Sequence, residues 1–583
     1  MQDSQWPSQK GENYQYFQQQ PEKTGNRKQY FEYSEDPQES NRYAQPEKSY
    51  KPFTSNSGLT QSETPLIRRE ILNPEANQRL TQEKEPFSKM LWAIARVALP
   101  ASITQVFAMG MDLANMIFIG HSNDAAKIAG IGLGNLFINV CSQAVILGLN
   151  GAISTLASQA YGAKNNRKVG IYLNRGRVIG IVCFLPQALL MLNCERILLW
   201  LNQDAKASAY AQEYTYYMIF AMFVHTQFDA TRQYLNAMHK NALVTMTMTI
   251  TSVLHVFWCF YLVVYLDLGV KGVGIATMIS YFQNFLMITV FCKVISEFKP
   301  SFFFITGESI TEGKREFFKI ALPNAAMLVL EWGGLEVLAL IASVISVDAT
   351  SAQVIVMNTF IVIMMIPFGG QVGTIVNVGK AMGEMNSKKA RTMIKIAVLF
   401  MLVVDAMLAF AIIIWKDFIA HIFTSNPAIV AYLDECFNAV AFLMIFFGIH
   451  VIEAGALRGL GLQMHATLTV LICQYGFSIP FGYLFSITLE QGVKGIWYGQ
   501  IIGGIAQALA YFYILSKRVE WEEMAISINQ GMKSKQQSIQ LADVGSDNFS
   551  PRIDKTKGPG KYSVFPQDVE GINLEYPRKP IVY

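Results

Sequence analysis

The residues of this chain that could do chemistry are a few ionisable side chains set singly in apolar sequence. Glu331 stands in Leu330-Glu331-Trp332-Gly333-Gly334-Leu335-Glu336, with no Lys or Arg within a helical turn. A charge at the centre of a membrane helix costs at least ~2.5 kcal/mol, so such residues face a cavity or a partner. A carboxyl in a partly dry cavity can exchange a proton near physiological pH, and its ionised form attracts a cation. Glu331 can therefore serve both halves of an exchange, because proton and cation compete for one group. The other reading is a protonated carboxyl bonded to a polar group on a neighbouring helix. Glu336 lies five residues on, about 140° around the helix at 100° per residue, so the two serve different partners. A packing hydrogen bond between helices is one reading of Glu336. Trp332 offers a π-face to an organic cation or simply packs.

His450 and Glu453 are three residues apart and share one side of a helix. Glu453 either titrates or pairs with Arg458. Asp112 binds protons or sodium, or holds a bonded structural place. Asp405, in mid-helix, divides the same way. Asp229 and Arg232, spaced i,i+3, are expected to pair with each other, and His225 and His255 to be hydrogen-bonded packing residues. His450 and Glu453 offer two ligands where zinc takes three or four, so neither a metal nor a cofactor is expected. A polytopic membrane enzyme would need a nucleophile–base set or a metal motif, and these two residues are too little. The seven cysteines (Cys141, Cys183, Cys194, Cys259, Cys292, Cys436 and Cys473) fall singly, without the spacing of a zinc or redox motif.

The elements that must position these groups are membrane helices. Of the 583 residues 52% are hydrophobic and 15% charged, well below the roughly 25% charge of a soluble domain. The apolar residues gather between about residues 90 and 515. Residues 1–88 and 517–583 are rich in Gln, Glu, Asn, Ser, Lys and Pro, and cannot bury enough apolar surface to offset their ordering entropy. They are read as disordered tails. The net charge of +4 averages unlike regions and points to no nucleic-acid partner. The first 85 residues carry no apolar stretch, so the first membrane helix is expected to direct insertion itself.

Twelve stretches are long enough to cross about 30 Å of hydrocarbon: 94–119, 127–157, 170–192, 210–232, 242–266, 273–294, 319–345, 350–378, 392–416, 430–456, 466–488 and 495–516. Ala98-Leu99-Pro100 recurs as Ala321-Leu322-Pro323, Ala160 to Asn165 recurs loosely as Ala381 to Asn386, and Gly269-Val270-Lys271-Gly272 recurs as Gly492-Val493-Lys494-Gly495. Three collinear matches at nearly one offset mark a duplicated unit. The expected fold is an all-α membrane protein of twelve transmembrane helices, as two six-helix parallel repeats around a central cavity. Six helices in 89–295 and six in 319–516 flank a cytoplasmic linker, 296–318. The connections after even-numbered helices hold most of the loop Lys and Arg, among them Lys164, Arg167, Lys168, Lys388, Lys389 and Arg391. By the positive-inside rule these loops and both termini are cytoplasmic.

The run Leu147 to Ala163, ending Gln159-Ala160-Tyr161-Gly162-Ala163, resembles the second helix of the MATE family, the multidrug and toxic compound extrusion antiporters. Leu330 to Glu336 resembles the seventh-helix motif of its eukaryotic members, Ala456 to Gly461 their tenth-helix ending, and Gly495-Ile496-Trp497 through Gln507 the start of their twelfth helix. The resemblance covers nearly all of 90–516 and neither tail. It implies that Glu331 and Glu336 take part in transport. It also exposes departures. The acidic position of the tenth helix falls on Phe447, which cannot titrate, and Glu453 stands about 9 Å further along the axis. In helix one, Asn115 holds the place of the Asp of prokaryotic relatives, with Asp112 three residues earlier.

Together these imply a secondary antiporter that exports organic, cationic compounds or xenobiotics in exchange for protons, by alternating access in a plasma or vacuolar/lysosomal membrane. Sodium is the other coupling ion to consider. A lipid-linked saccharide flippase of the same superfamily would share the helices and the repeat but would need intramembrane Arg or Lys to hold pyrophosphate. No such cluster stands in the helices.

Overall fold

In lipid a backbone can satisfy its own polar groups only as helix or closed barrel, and the apolar stretches of this chain form helices. The computed structural model describes residues 85–120, 124–424 and 426–532. The two tails, apart from residues 85–88 and 517–532, lie outside them. In the first half α1 is Phe87–Gly120, α2 Ala126–Gly162, α3 Asn166–Leu192, α4 Ala205–Ala237, α5 Asn241–Tyr265 and α6 Gly269–Val294. In the second, α7 is Lys314–Ile345, α8 Val347–Gly383, α9 Ser387–Phe423, α10 Pro427–Leu460, α11 Gln463–Thr488 and α12 Val493–Arg518. Eleven of the twelve are long and apolar enough to span a membrane by composition alone. The exception is α4, whose sequence includes Lys206, Glu213, Asp229 and Arg232. These charged groups are paired or sit near its ends. Glu213 meets Lys271 at 3.4 Å and Lys206 meets Asp124 at 3.9 Å.

The duplication is written in the backbone. Non-glycine residues with positive φ occur as Lys164 with Met385 and as Asp267 with Glu490, and positive-φ Gly269 is matched by Gly492. Both members of each pair close a turn at the same place in the repeat. Asn165 and Asn386 cap the following helices by accepting from the amides of Lys168 and Lys389. Thr245 of α5 donates to the Pro100 carbonyl at 2.8 Å, and Thr467 of α11 does the same to Pro323 at 2.6 Å. Packing repeats too. The helix α4 sits against α2, α3 and α6, and α10 against α8, α9 and α12. Between the halves α1 packs on α8 and α7 on α2, with α2 against α8 at the centre. That exchange of partners is what a two-fold relation between equivalent six-helix units requires.

The halves meet closely towards the face that bears the basic loops, called here the basic face. Ser102 donates to Ile366 O at 3.1 Å, Thr155 to Arg458 O at 2.9 Å, Gln159 to Gly459 O at 3.0 Å and Asn324 to Gly148 O at 2.6 Å. Glycines allow it. A Cβ on Gly162 would run into the Lys380 carbonyl, and one on Gly383 into the Gln159 carbonyl.

Residues 521–532, in the segment whose composition predicts disorder, form a further helix, α13. It lies on the basic face with Trp521, Ala525, Asn529 and Met532 buried. Positions three or four apart turn one side of a short helix into an apolar stripe, a local signal that whole-tail composition dilutes.

Candidate functional site

In the second half five helices lean on a shared space, each with a stripe at helical spacing. Glu331, Trp332 and Leu335 come from α7, Phe360, Met364 and Phe368 from α8, and Phe447, His450 and Val451 from α10. Gln474 of α11 joins them, with Trp497, Gln500 and Gln507 of α12. The space opens at a mouth between these helices. Five of its lining side chains are Phe or Trp: Trp332, Phe360, Phe368, Phe447 and Trp497. The Phe447 ring lies edge-on to Phe360 at 5.2 Å and to His450 at 4.9 Å, and Phe360 is edge-on to Trp497 at 5.4 Å. Trp497 is fixed by its indole N–H, which donates to Gln353 at 3.0 Å. His450 donates through Nδ1 to the Phe446 carbonyl at 3.2 Å, which turns its other nitrogen into an acceptor.

Glu331 is the carboxylate of this wall, half-buried and without a hydrogen bond to any described residue. Its nearest formal counter-charge is Arg458, within electrostatic reach. Arg458 is buried where the halves meet. It donates to Gln371 at 2.8 Å, and its guanidinium lies against Gly151 of α2. So on the reading in which Glu453 pairs with Arg458, that cation is found on Gln371, and no described ion pair joins it to Glu453.

The other candidates disperse. Glu336 is exposed and outside the cavity lining, as its turn around α7 from Glu331 requires. Glu453 is buried with Oε2 unpartnered and is not part of the lining, although His450 is. The two share a side of α10, but only His450 reaches the cavity. Asp405 of α9 is fully buried, neither of its oxygens has a partner, and its carboxyl fills the space beside Gly448 that a Cβ would take.

In the first half Asp112 is half-buried without a hydrogen bond. Asn115 is locked in a network: it donates to Thr277 at 3.0 Å and accepts from His255 Nε2 at 3.0 Å, while His255 Nδ1 meets Ser280 at 2.9 Å. His225 lies 3.3 Å from Gln143 and, tilted, 4.7 Å from the Tyr281 ring. Both histidines are thus hydrogen-bonded between helices. No cluster of three or more His, Cys, Asp or Glu occurs among the described residues, and the seven cysteines are free.

Asp229 and Arg232 do pair. The Arg232 Nε donates to Asp229 Oδ1 at 2.8 Å, Asn150 donates to Oδ2 at 2.9 Å, and Arg232 Nη1 reaches Gln105 at 2.7 Å. Asp229 is fully buried, so Arg232→Ala strands its charge, and loss of one partner of a buried pair costs about 3–5 kcal/mol. A lower melting temperature of the purified protein in detergent is the expected result, and an unchanged one would show that the pair carries no stability.

The polar groups that residue-by-residue reading passed over are Gln474, Gln500 and Gln507. Each is an amide in an apolar helix, and that was the available signal. A twelve-helix membrane bundle made of two repeats, with a polar spot deep among its helices, has the architecture of a secondary transporter. The family model described as MatE matches residues 100–261 and 323–484, once in each half. Multidrug and toxin extrusion protein 2 of Mus musculus is 29% identical over 453 residues, covering 77% of this chain and 78% of that protein. Protein DETOXIFICATION 1 of Arabidopsis thaliana is 26% identical over 463 residues, covering 79% and 96%. The crystal structure of the eukaryotic MATE transporter AtDTX14 superposes with a TM-score of 0.72 at 24% identity, over 76% of this chain and 99% of that one. The chain belongs to the MATE family of multidrug and toxin extrusion transporters, as a multi-pass integral membrane protein.

Proposed function

We propose that this transporter exports organic cations in exchange for protons, with Glu331 as the group for which the two compete. The observation that carries this is Glu331 itself, a carboxylate without hydrogen-bond partners in an aromatic cavity. A lone carboxylate in such a place is ionised at least cost when a cation lies against it and is otherwise better neutral. Trp332 supplies a π-face and His450 an acceptor nitrogen. The cavity lining includes no Lys or Arg, which disfavours a pyrophosphate-linked lipid as cargo. Glu453, Asp112 and Asp405 serve helix packing or proton supply away from the cavity, Asn115 serves packing, and Glu336, exposed on α7, is not needed for the exchange.

Alternating access follows from the repeat. The basic face is cytoplasmic, the halves are shut there, and the bound cation leaves toward the opposite side when Glu331 takes a proton. The test is efflux of a fluorescent organic cation from proteoliposomes under an imposed pH gradient, beside the same vesicles under a sodium gradient. Efflux that follows the pH gradient is expected. Efflux that follows sodium alone overturns the coupling ion, and no transport of any cation overturns the cargo.

A further inference from the structure

The helix α13 does not leave the bundle after α12 but lies across the seam between the halves. Its start is fixed to the second half. The Trp521 indole donates to Leu515 O at 3.2 Å, Arg391 stands 5.2 Å from the Trp521 ring and 3.6 Å from Glu522, and Asn529 donates to Gly383 O at 2.9 Å. Trp521 and Ala525 join an apolar cluster with Val378, Met382 and Ala390. Its far end is fixed to the first half. The Gly531 and Met532 carbonyls accept from Lys168 Nζ at 2.6 Å and Asn165 Nδ2 at 3.3 Å. Met532 is buried in a separate cluster with Val169 and Tyr172. Because α13 follows α12 after two residues and is fixed to the second half, its contacts with the first half are those that must break when the halves part at this face.

We propose that α13 is a latch that holds the basic face shut, and that release of its Met532 end from the first half is a required step in opening that face. This rests on the alternating-access reading, and its control over the cycle is separable from the choice of cargo. A cation or proton bound at Glu331 cannot reorient until the latch lets go, so whatever binds or displaces α13 sets the transport rate.

The test uses the full chain with Ser158→Cys as reporter. Ser158 is buried between the halves, with its Oγ where a Cβ on Gly379 would stand, so a maleimide reaches position 158 only when the basic face opens. Labelling is read above the background of the protein with its own seven cysteines. Met532→Glu places a charge in the apolar seat and is expected to speed labelling on the order of ten-fold, whereas Met532→Leu refills the seat and should label at the parent rate. Lys168→Ala, at a half-buried position, removes the bond to Gly531 O and the contact of its Nζ with the Tyr172 ring at 5.9 Å, and should act in the same direction by a smaller factor. Unchanged labelling in both Met532→Glu and Lys168→Ala, in protein that elutes as a single folded species, overturns the latch. Labelling needs no cargo. Protein that labels as expected but moves no cation refutes the transport reading and leaves the latch in place.

Discussion

Glu331→Gln is expected to reduce pH-gradient-driven efflux of organic cations to the level of protein-free vesicles, with the protein still folded. The substitution keeps the size and planarity of the side chain and removes its charge and its titratable proton. Folding should survive because Glu331 makes no hydrogen bond that would be lost, and because Gln474, Gln500 and Gln507 already place neutral amides in the same wall. Arg458 keeps its bond to Gln371 at 2.8 Å, so its guanidinium is not set loose when the nearby carboxylate goes. Without a carboxylate, the cation loses its counter-charge and the proton its seat, and both legs of the cycle fail together. Efflux and proton counterflow are to be measured in the same vesicles, with cation binding in detergent as a second readout. Normal efflux by Glu331→Gln would move the coupling site to another carboxylate. Glu336→Gln makes the contrast: it changes the same residue type on the same helix, outside the cavity, and is expected to keep efflux.

The sequence made the scaffold plain because membrane helices and repeats are written in runs. Twelve apolar stretches and three echoed motifs are enough to predict twelve helices in two equivalent halves, and Lys164 with Met385 or Asp267 with Glu490 shows how faithfully the backbone repeats them. Single residues were harder, because one sequence does not say which way a helix is turned. Glu331 and Trp332 could be flagged from charge and chemistry, but that Glu453 leaves the cavity while His450 stays depends on the rotation of α10. Phe360, Phe368 and Trp497 looked like any other aromatic residues of an apolar helix, and only convergence of α8, α10 and α12 makes them one wall. The partner of Arg458 stayed open for a related reason: spacing along α10 allows Glu453, whereas the packing of α8 on α10 brings Gln371 within 2.8 Å. The α13 stripe was hidden by averaging over a polar tail.

Gly383→Ala and Gly162→Ala are each expected to abolish transport, and for the same reason. The two glycines are equivalents in the repeat, and each rests on the other half three residues before its counterpart: Gly162 on Lys380, Gly383 on Gln159. This reciprocity places the two-fold relation of the halves at the α2–α8 contact, where neither backbone can move aside without the other. An added Cβ meets a carbonyl oxygen in both cases, and a backbone carbonyl in a helix cannot swing away as a side chain can. Neither glycine has a positive φ, and alanine favours a helix over glycine by about 1 kcal/mol, so the helices themselves gain. Loss of function then belongs to the seam. The halves should rest apart at the basic face, and a cysteine at position 158 in place of Ser158 should label quickly in both variants. If, as proposed, closure of this face exposes the cavity to the opposite side, efflux stops although Glu331 is untouched and the cavity can still bind a cation. Wild-type efflux in both variants, with position 158 still protected, would show that the halves do not need this close approach to complete the cycle.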